Sequence, residues 1–125
     1  MSLAALKPEA DRRRILTTAV LRAAALLGLN QARIAEVLGM SAPMVSRMAH
    51  GTYALDESRK EWELAALLVR LFRSLDTLVG SNEAAARTWL RSHNHALGGI
   101  PIELIRSTEG LVRAVHYLDA ARGRL

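Results

Sequence analysis

A chain of 125 residues is long enough for one compact domain, or for two small ones sharing a core. Its 21 Leu and 21 Ala, against only 4% aromatic residues, favour helix and argue against a β-sandwich, a barrel, or a nucleic-acid reader that stacks bases on rows of aromatics. The lack of Cys excludes disulfides, thiolate metal sites and a cysteine nucleophile and fits a cytoplasmic protein, while the net charge of +5, carried almost wholly by Arg, suits phosphate or carboxylate partners.

Pro8, followed by Glu9 and Asp11, marks the start of a first helix. Ile15, Leu16, Ala19, Val20, Ala23, Leu26 and Leu27 recur on one of its faces, and Gly28 stops it. Arg12, Arg13 and Arg14 ahead of the apolar run 19–29 imitate an export signal. Arg22 interrupts that run, and it is too short to span a bilayer, so it reads as an amphipathic helix and no membrane span is expected. Asn30 caps a second helix that runs to Leu38 and ends at Gly39. Ser41 caps a third, with Pro43 in its first turn, ending near Gly51.

Residues 52–56 form a connector. A fourth helix follows over 57–79, with one apolar row through Trp62, Ala65, Leu68, Val69, Phe72, Leu75 and Val79 and a second through Leu64, Leu67, Leu71 and Leu78. A helix this apolar must be covered on more than one side, which suggests a central strut or a dimer interface. Gly80, Ser81 and Asn82 end it and cap a fifth helix over 83–90. Gly98, Gly99 and Pro101 make a tight turn into a short helix over 102–106. Thr108 is placed to cap a last helix running to Arg122. The expected division is a DNA-binding unit at 1–56, a connecting or dimerising helix at 57–80, and a C-terminal unit at 81–125.

The second and third helices fit a helix-turn-helix of the phage-repressor type. Counted from Gln31, Ala35 is the fifth residue, where the helices cross and a larger side chain would force them apart. Gly39 is the ninth, where the turn needs positive φ. Ile34, Leu38, Met40, Val45 and Met48 fall where apolar residues lock the pair together. This pattern puts the third helix in the major groove, with Ser41, Ala42, Met44, Ser46 and Arg47 facing the DNA and Arg47 the best reader of a base, through bidentate pairing with guanine. Gln31 and Arg33 are placed to contact phosphate. Arg12 to Arg14 either add non-specific attraction or form a solvated face. Polar readers are few, so affinity should depend on phosphate contacts and on a homodimer presenting two motifs.

Charge is uneven along the chain, +4 over residues 1–50, −1 over 51–81 and +2 over 82–125. His93 and His95 have no third metal ligand nearby. Glu61 and Glu63, like Asp56 and Glu57, fall at a helix start where solvated acids are expected. There is no phosphate-binding glycine loop or nucleophile elbow, so the chain reads as a non-enzyme without a cofactor.

The residues Trp89, Leu90, Asn94, Ala96, Leu97, Gly98, Gly99, Ile100, Pro101, Leu104, Gly110, Val115, Leu118 and Gly123 form a pattern that resembles the Xre/MbcA/ParS toxin-binding domain of antitoxins partnered with RES-domain toxins. The order of parts, an Xre-type helix-turn-helix and then this segment, extends the resemblance to the whole chain. It implies an all-α antitoxin that covers the active site of a NAD-degrading toxin with its C-terminal part and represses its own operon. Gly98, Gly99, Pro101, Arg113, Tyr117, Arg122, Arg124 and Leu125 are the expected toxin contacts, the arginines being suited to a cleft built for a dinucleotide phosphate. Gly110, costly within a helix, implies a close approach by another segment. Two other readings remain open: a stand-alone transcriptional regulator, and a toxin-binding protein whose helix-turn-helix no longer reads DNA.

Overall fold

The computed structural model describes residues 3–124, which form α1 (Leu3–Leu27), α2 (Gln31–Leu38), α3 (Ala42–Ala49), α4 (Lys60–Leu78), α5 (Glu83–Arg91), α6 (Pro101–Leu104) and α7 (Thr108–Arg122). The fold is all-α, with an N-terminal helix-turn-helix, a long central helix and a small C-terminal helical part. α4 lies at its centre, packed on α1 and α2 on one side and on α7 on the other. Leu68, Leu71 and Leu75 are fully buried there and meet Val20, Ala24 and Leu27 of α1, Leu38 of α2, and Leu111, Val115 and Leu118 of α7 in one core. Each such large aliphatic side chain removed from water contributes about 1.5–3 kcal/mol. The apolar rows of α4 are thus covered largely by the chain itself. The second row, which the sequence suggests for a dimer interface, leaves only Leu67 and Leu78 half-buried.

Several boundaries differ from the sequence reading. α1 begins at Leu3, before Pro8, so Pro8 sits inside the helix and not ahead of it. A proline there forfeits one intrahelical bond close to the helix end, where the flanking Ala and Leu residues favour helix strongly enough to tolerate it. Ile15, assigned by spacing to the buried face of α1, is 66% exposed. α4 begins at Lys60 without a side-chain cap, because Asp56 instead folds onto the connector and accepts from the Ser58 N–H at 3.0 Å and its hydroxyl at 2.8 Å. The cap of α7 is Ser107, one residue before Thr108. Its hydroxyl accepts from the Gly110 N–H at 3.0 Å.

The close approach implied by Gly110 is supplied by α6. A Cβ at Gly110 would fall 1.8 Å from the Leu104 carbonyl oxygen, so only glycine lets the end of α6 lie against α7. The C-terminus of α1 is closed from a distance. Gly28, at φ +72°, turns the chain. Arg87 of α5 donates to the Ala25 and Leu26 carbonyls at 3.0 Å, and Arg91 donates to Leu27 at 3.0 Å and Gly28 at 2.9 Å. Two guanidinium groups thereby satisfy the orphan carbonyls and offset the negative end of a helix whose own last turn has no basic residue.

Candidate functional site

The helix-turn-helix is built as its spacing requires. The Asn30 side chain accepts from the Arg33 N–H at 2.9 Å and starts α2. Gly39 takes φ 65°, ψ 34° and donates to the Ala35 carbonyl, ending α2 in the left-handed cap that glycine adopts without strain. The Ser41 hydroxyl accepts from the Met44 N–H at 3.3 Å and starts α3. Ile34, Leu38, Val45 and Met48 are buried and Met40 is half-buried, while Ala35, 9% exposed, allows the helices to cross closely. On the outer side, Ser41, Ala42 and Arg47 are exposed and Met44 and Ser46 half-buried. Arg47 lays one guanidinium nitrogen 3.1 Å from the Met44 sulfur. α3 thus presents a single cation among small and apolar side chains. Gln31 is exposed at the start of α2.

The C-terminal motif forms a closed turn followed by a tight corner. Asn94 and Gly99 pair through backbone bonds of 2.8 and 3.2 Å, and the Asn94 side chain accepts from the Leu97 N–H at 3.0 Å. Gly98 supplies φ +75° within it, and buried Pro101 begins α6 where its missing N–H costs least. Leu104 then sits between two glycines of the motif. Its side chain would be 3.2 Å from a Cβ at Gly99, and its carbonyl covers Gly110. Arg113 leans from α7 onto this turn, 3.4 Å from the Leu97 carbonyl. Tyr117 lies apart from the turn's backbone contacts and stacks on Trp89, with ring centroids 6.3 Å apart and planes at 20°. Arg122 and Arg124 are exposed at the chain's last described turn, and Leu125 lies outside the described residues.

Residues 8–70 match the antitoxin Xre-like helix-turn-helix domain, and residues 74–124 match the antitoxin Xre/MbcA/ParS C-terminal toxin-binding domain. The chain belongs to the Xre/MbcA/ParS antitoxin family. A search of curated proteins finds no match to the chain. The architecture of this antitoxin is regulatory rather than catalytic. Among the described residues no three or more His, Asp or Glu side chains cluster as a metal site, and no helix is long and apolar enough to cross a membrane. His93 and His95 meet edge to face, with ring centroids 5.1 Å apart.

Most of the antitoxin's arginines are engaged inside the chain, which the charge count alone does not reveal. Arg13 donates to the Leu55 carbonyl at 2.7 Å and the Ala54 carbonyl at 3.0 Å. The Thr17 hydroxyl fixes the same segment, accepting from the Leu55 N–H at 2.9 Å. Arg12 pairs with Glu57 at 2.9 Å. Arg12 and Arg13 thus clamp the connector onto α1, while Arg14 remains exposed and, among the described residues, pairs only with Asp11 of its own helix. Arg33, assigned from sequence to phosphate, is tied to Glu103 of α6 at 2.9 Å. The Arg33 guanidinium, followed by the weaker pull of Arg106, holds the Glu103 carboxyl below its ordinary range. Glu61 departs from the solvated-acid reading: it is 8% exposed and accepts from the Tyr53 hydroxyl at 3.2 Å and Arg59 Nε at 2.9 Å. Burial, and then this Glu61 contact, raises the Tyr53 pKa.

Asp119 carries no chemistry in the sequence reading, yet it fastens α7 to α4. It accepts from the fully buried Ser74 hydroxyl at 2.7 Å and pairs with Arg70. The Ser74 hydroxyl is the main cause of its lowered pKa, with Arg70 adding to it against the opposing effect of burial. The available signal was Ser74 interrupting the apolar face of α4, since a buried hydroxyl needs a partner.

Proposed function

We propose that this antitoxin neutralises a RES-domain, NAD-degrading toxin by covering its active site with the C-terminal part, and that it represses its own operon as a homodimer through the helix-turn-helix. The supporting observation is the distribution of free cations in the C-terminal part. Arg87, Arg91 and Arg106 are held by carbonyls or carboxylates of the chain, whereas Arg122 and Arg124 are exposed with no carboxylate of another described residue within ion-pair distance. Exposed guanidinium forks at the end of a helix suit the phosphate subsites of a dinucleotide cleft. Gly98, Gly99 and Pro101 shape the corner at the N-terminal end of α7, Arg113 leans onto it, Tyr117 stacks on Trp89 farther along the helix, and Leu125 follows the two arginines in sequence. The corresponding division is 1–56 for DNA, 57–80 as connector and 81–125 for the toxin, acting in the cytoplasm.

Gln31, Ser41, Ala42, Met44, Ser46 and Arg47 form the face assigned to the operator, with Arg33 at its edge. A second reading, toxin binding without DNA binding, is favoured by one observation: α3 offers Arg47 as its only cation, and Arg33 is engaged by Glu103. Co-expression with the toxin tests the first half of the proposal. The Arg122→Ala, Arg124→Ala double variant should lose protection while remaining folded, and undiminished protection removes these residues from the contact. A mobility shift on the upstream region tests the second half, and no shift even at low salt leaves only toxin binding.

A further inference from the structure

Four side chains form a chain of alternating charge, Arg33–Glu103–Arg106–Glu36, between α2 and the corner of α6 and α7. Arg33 lies 2.9 Å from Glu103, Arg106 lies 3.2 Å from the same carboxylate, and Arg106 also pairs with Glu36. Arg33 and Glu36 are three residues apart and so share one face of α2. Arg33 is also the third residue of α2, at the positive end of the helix whose start is assigned to DNA phosphate. At that place Glu103 offers the guanidinium what a phosphate would offer, an anionic oxygen at hydrogen-bond distance.

Two features make the arrangement exchangeable. The pair is open to water, with Arg33 31% and Glu103 46% exposed, so its strength is modest and falls with salt. If Arg33 leaves, Glu103 keeps Arg106, and Arg106 keeps Glu36, so no carboxylate is stranded. A single guanidinium cannot direct the same N–H groups at both Glu103 and a DNA phosphate.

We propose that Glu103 is a positioning residue for operator binding: it stands in for a DNA phosphate and holds Arg33 out of the protein–DNA interface until a backbone phosphate displaces it. This rests on the operator-binding reading above. Glu103 thus sets the operator affinity from within the toxin-binding segment, without touching DNA.

The test is a double-mutant cycle on the full chain, with binding to the upstream region followed by fluorescence anisotropy over a range of salt. Glu103→Gln should bind about five-fold more tightly per protomer, the value of one exposed ion pair. In an Arg33→Ala background the same substitution should have no effect, and Arg33→Ala should lower the magnitude of the salt slope by about 0.9 per protomer. Equal tightening with and without Arg33 would mean that only a repelling charge had been removed, and it overturns the proposal, as does no tightening at all. If wild type binds and Glu103→Gln makes no difference, the latch alone falls. If neither binds at low salt, the operator reading falls and the latch with it. Thermal melts establish folding. If Glu103→Gln does not fold, Glu103→Asp, which withdraws the carboxylate by one methylene, should also tighten binding, and an unchanged affinity there counts against the latch.

Discussion

Replacing Gly110 with Ala reverses the usual sign of a helix substitution. In an open helix the change gains about 1 kcal/mol, because Ala forms helix better than Gly. Here the new Cβ would lie 1.8 Å from the Leu104 carbonyl oxygen, 2.6 Å from its carbonyl carbon and 3.1 Å from the Ser107 hydroxyl. The first of these obstacles is backbone and cannot rotate away. Relief requires the end of α6 to retreat from α7 by more than 1 Å, at the point where the Ser107 cap and the Leu104 carbonyl also meet. Overpacking typically costs 1–3 kcal/mol, and a clash with backbone belongs at or beyond the upper end. Set against the propensity gain, the expected net loss is about 2 kcal/mol, roughly 6–10 °C in Tm for a domain of this size. Urea and thermal denaturation of the full chain measure it. A variant as stable as wild type, or more stable, would refute the placement of α6 against α7. Gly99→Ala provides the internal comparison. Its obstacle is the flexible end of the Leu104 side chain, so its cost should be clearly smaller.

Two further predictions concern long-range contacts. Arg91→Ala should cost about 1–2 kcal/mol by uncapping the Leu27 and Gly28 carbonyls, and Arg91→Lys should recover little, since an ammonium lacks the fork that reaches both; urea melts of the two variants check this. Asp119 titrates below its ordinary value in the folded chain, so its contribution is present above about pH 4 and is lost as pH falls through the lowered value. Asp119→Asn should cost about 1–2 kcal/mol at neutral pH and lessen the loss of stability as pH falls below about 4, and a variant with the wild-type acid profile would exclude Asp119 as a source of that dependence.

The local half of the structure was legible in the sequence. Asn30, Gly39 and Ser41 each have one conformational task, and their spacing specifies the helix-turn-helix. Gly110 announced a close approach, but nothing in its neighbourhood could name Leu104 as the group that approaches. The arginines were the least legible residues. Arg33 and Glu103 are seventy positions apart, and Arg91 and Leu27 sixty-four, so composition counted their charges without showing that they were already engaged. A net charge assigned to one end of a chain is not a charge available at its surface. The same limit applies to α4, whose apolarity required a cover that the sequence could not identify as α1 and α7.

The caps on α1 also have a consequence in time. The carbonyls of Ala25 to Gly28 gain their guanidinium partners only when Arg87 and Arg91 have been made and α5 has folded back. At synthesis rates of about 5–20 residues per second, that is a delay of several seconds after α1 itself is complete. The helix-turn-helix, though made early, therefore rests on an α1 whose end is closed only after α5 is made, and a chain cut short before α5 would carry a complete helix-turn-helix on an unfinished support.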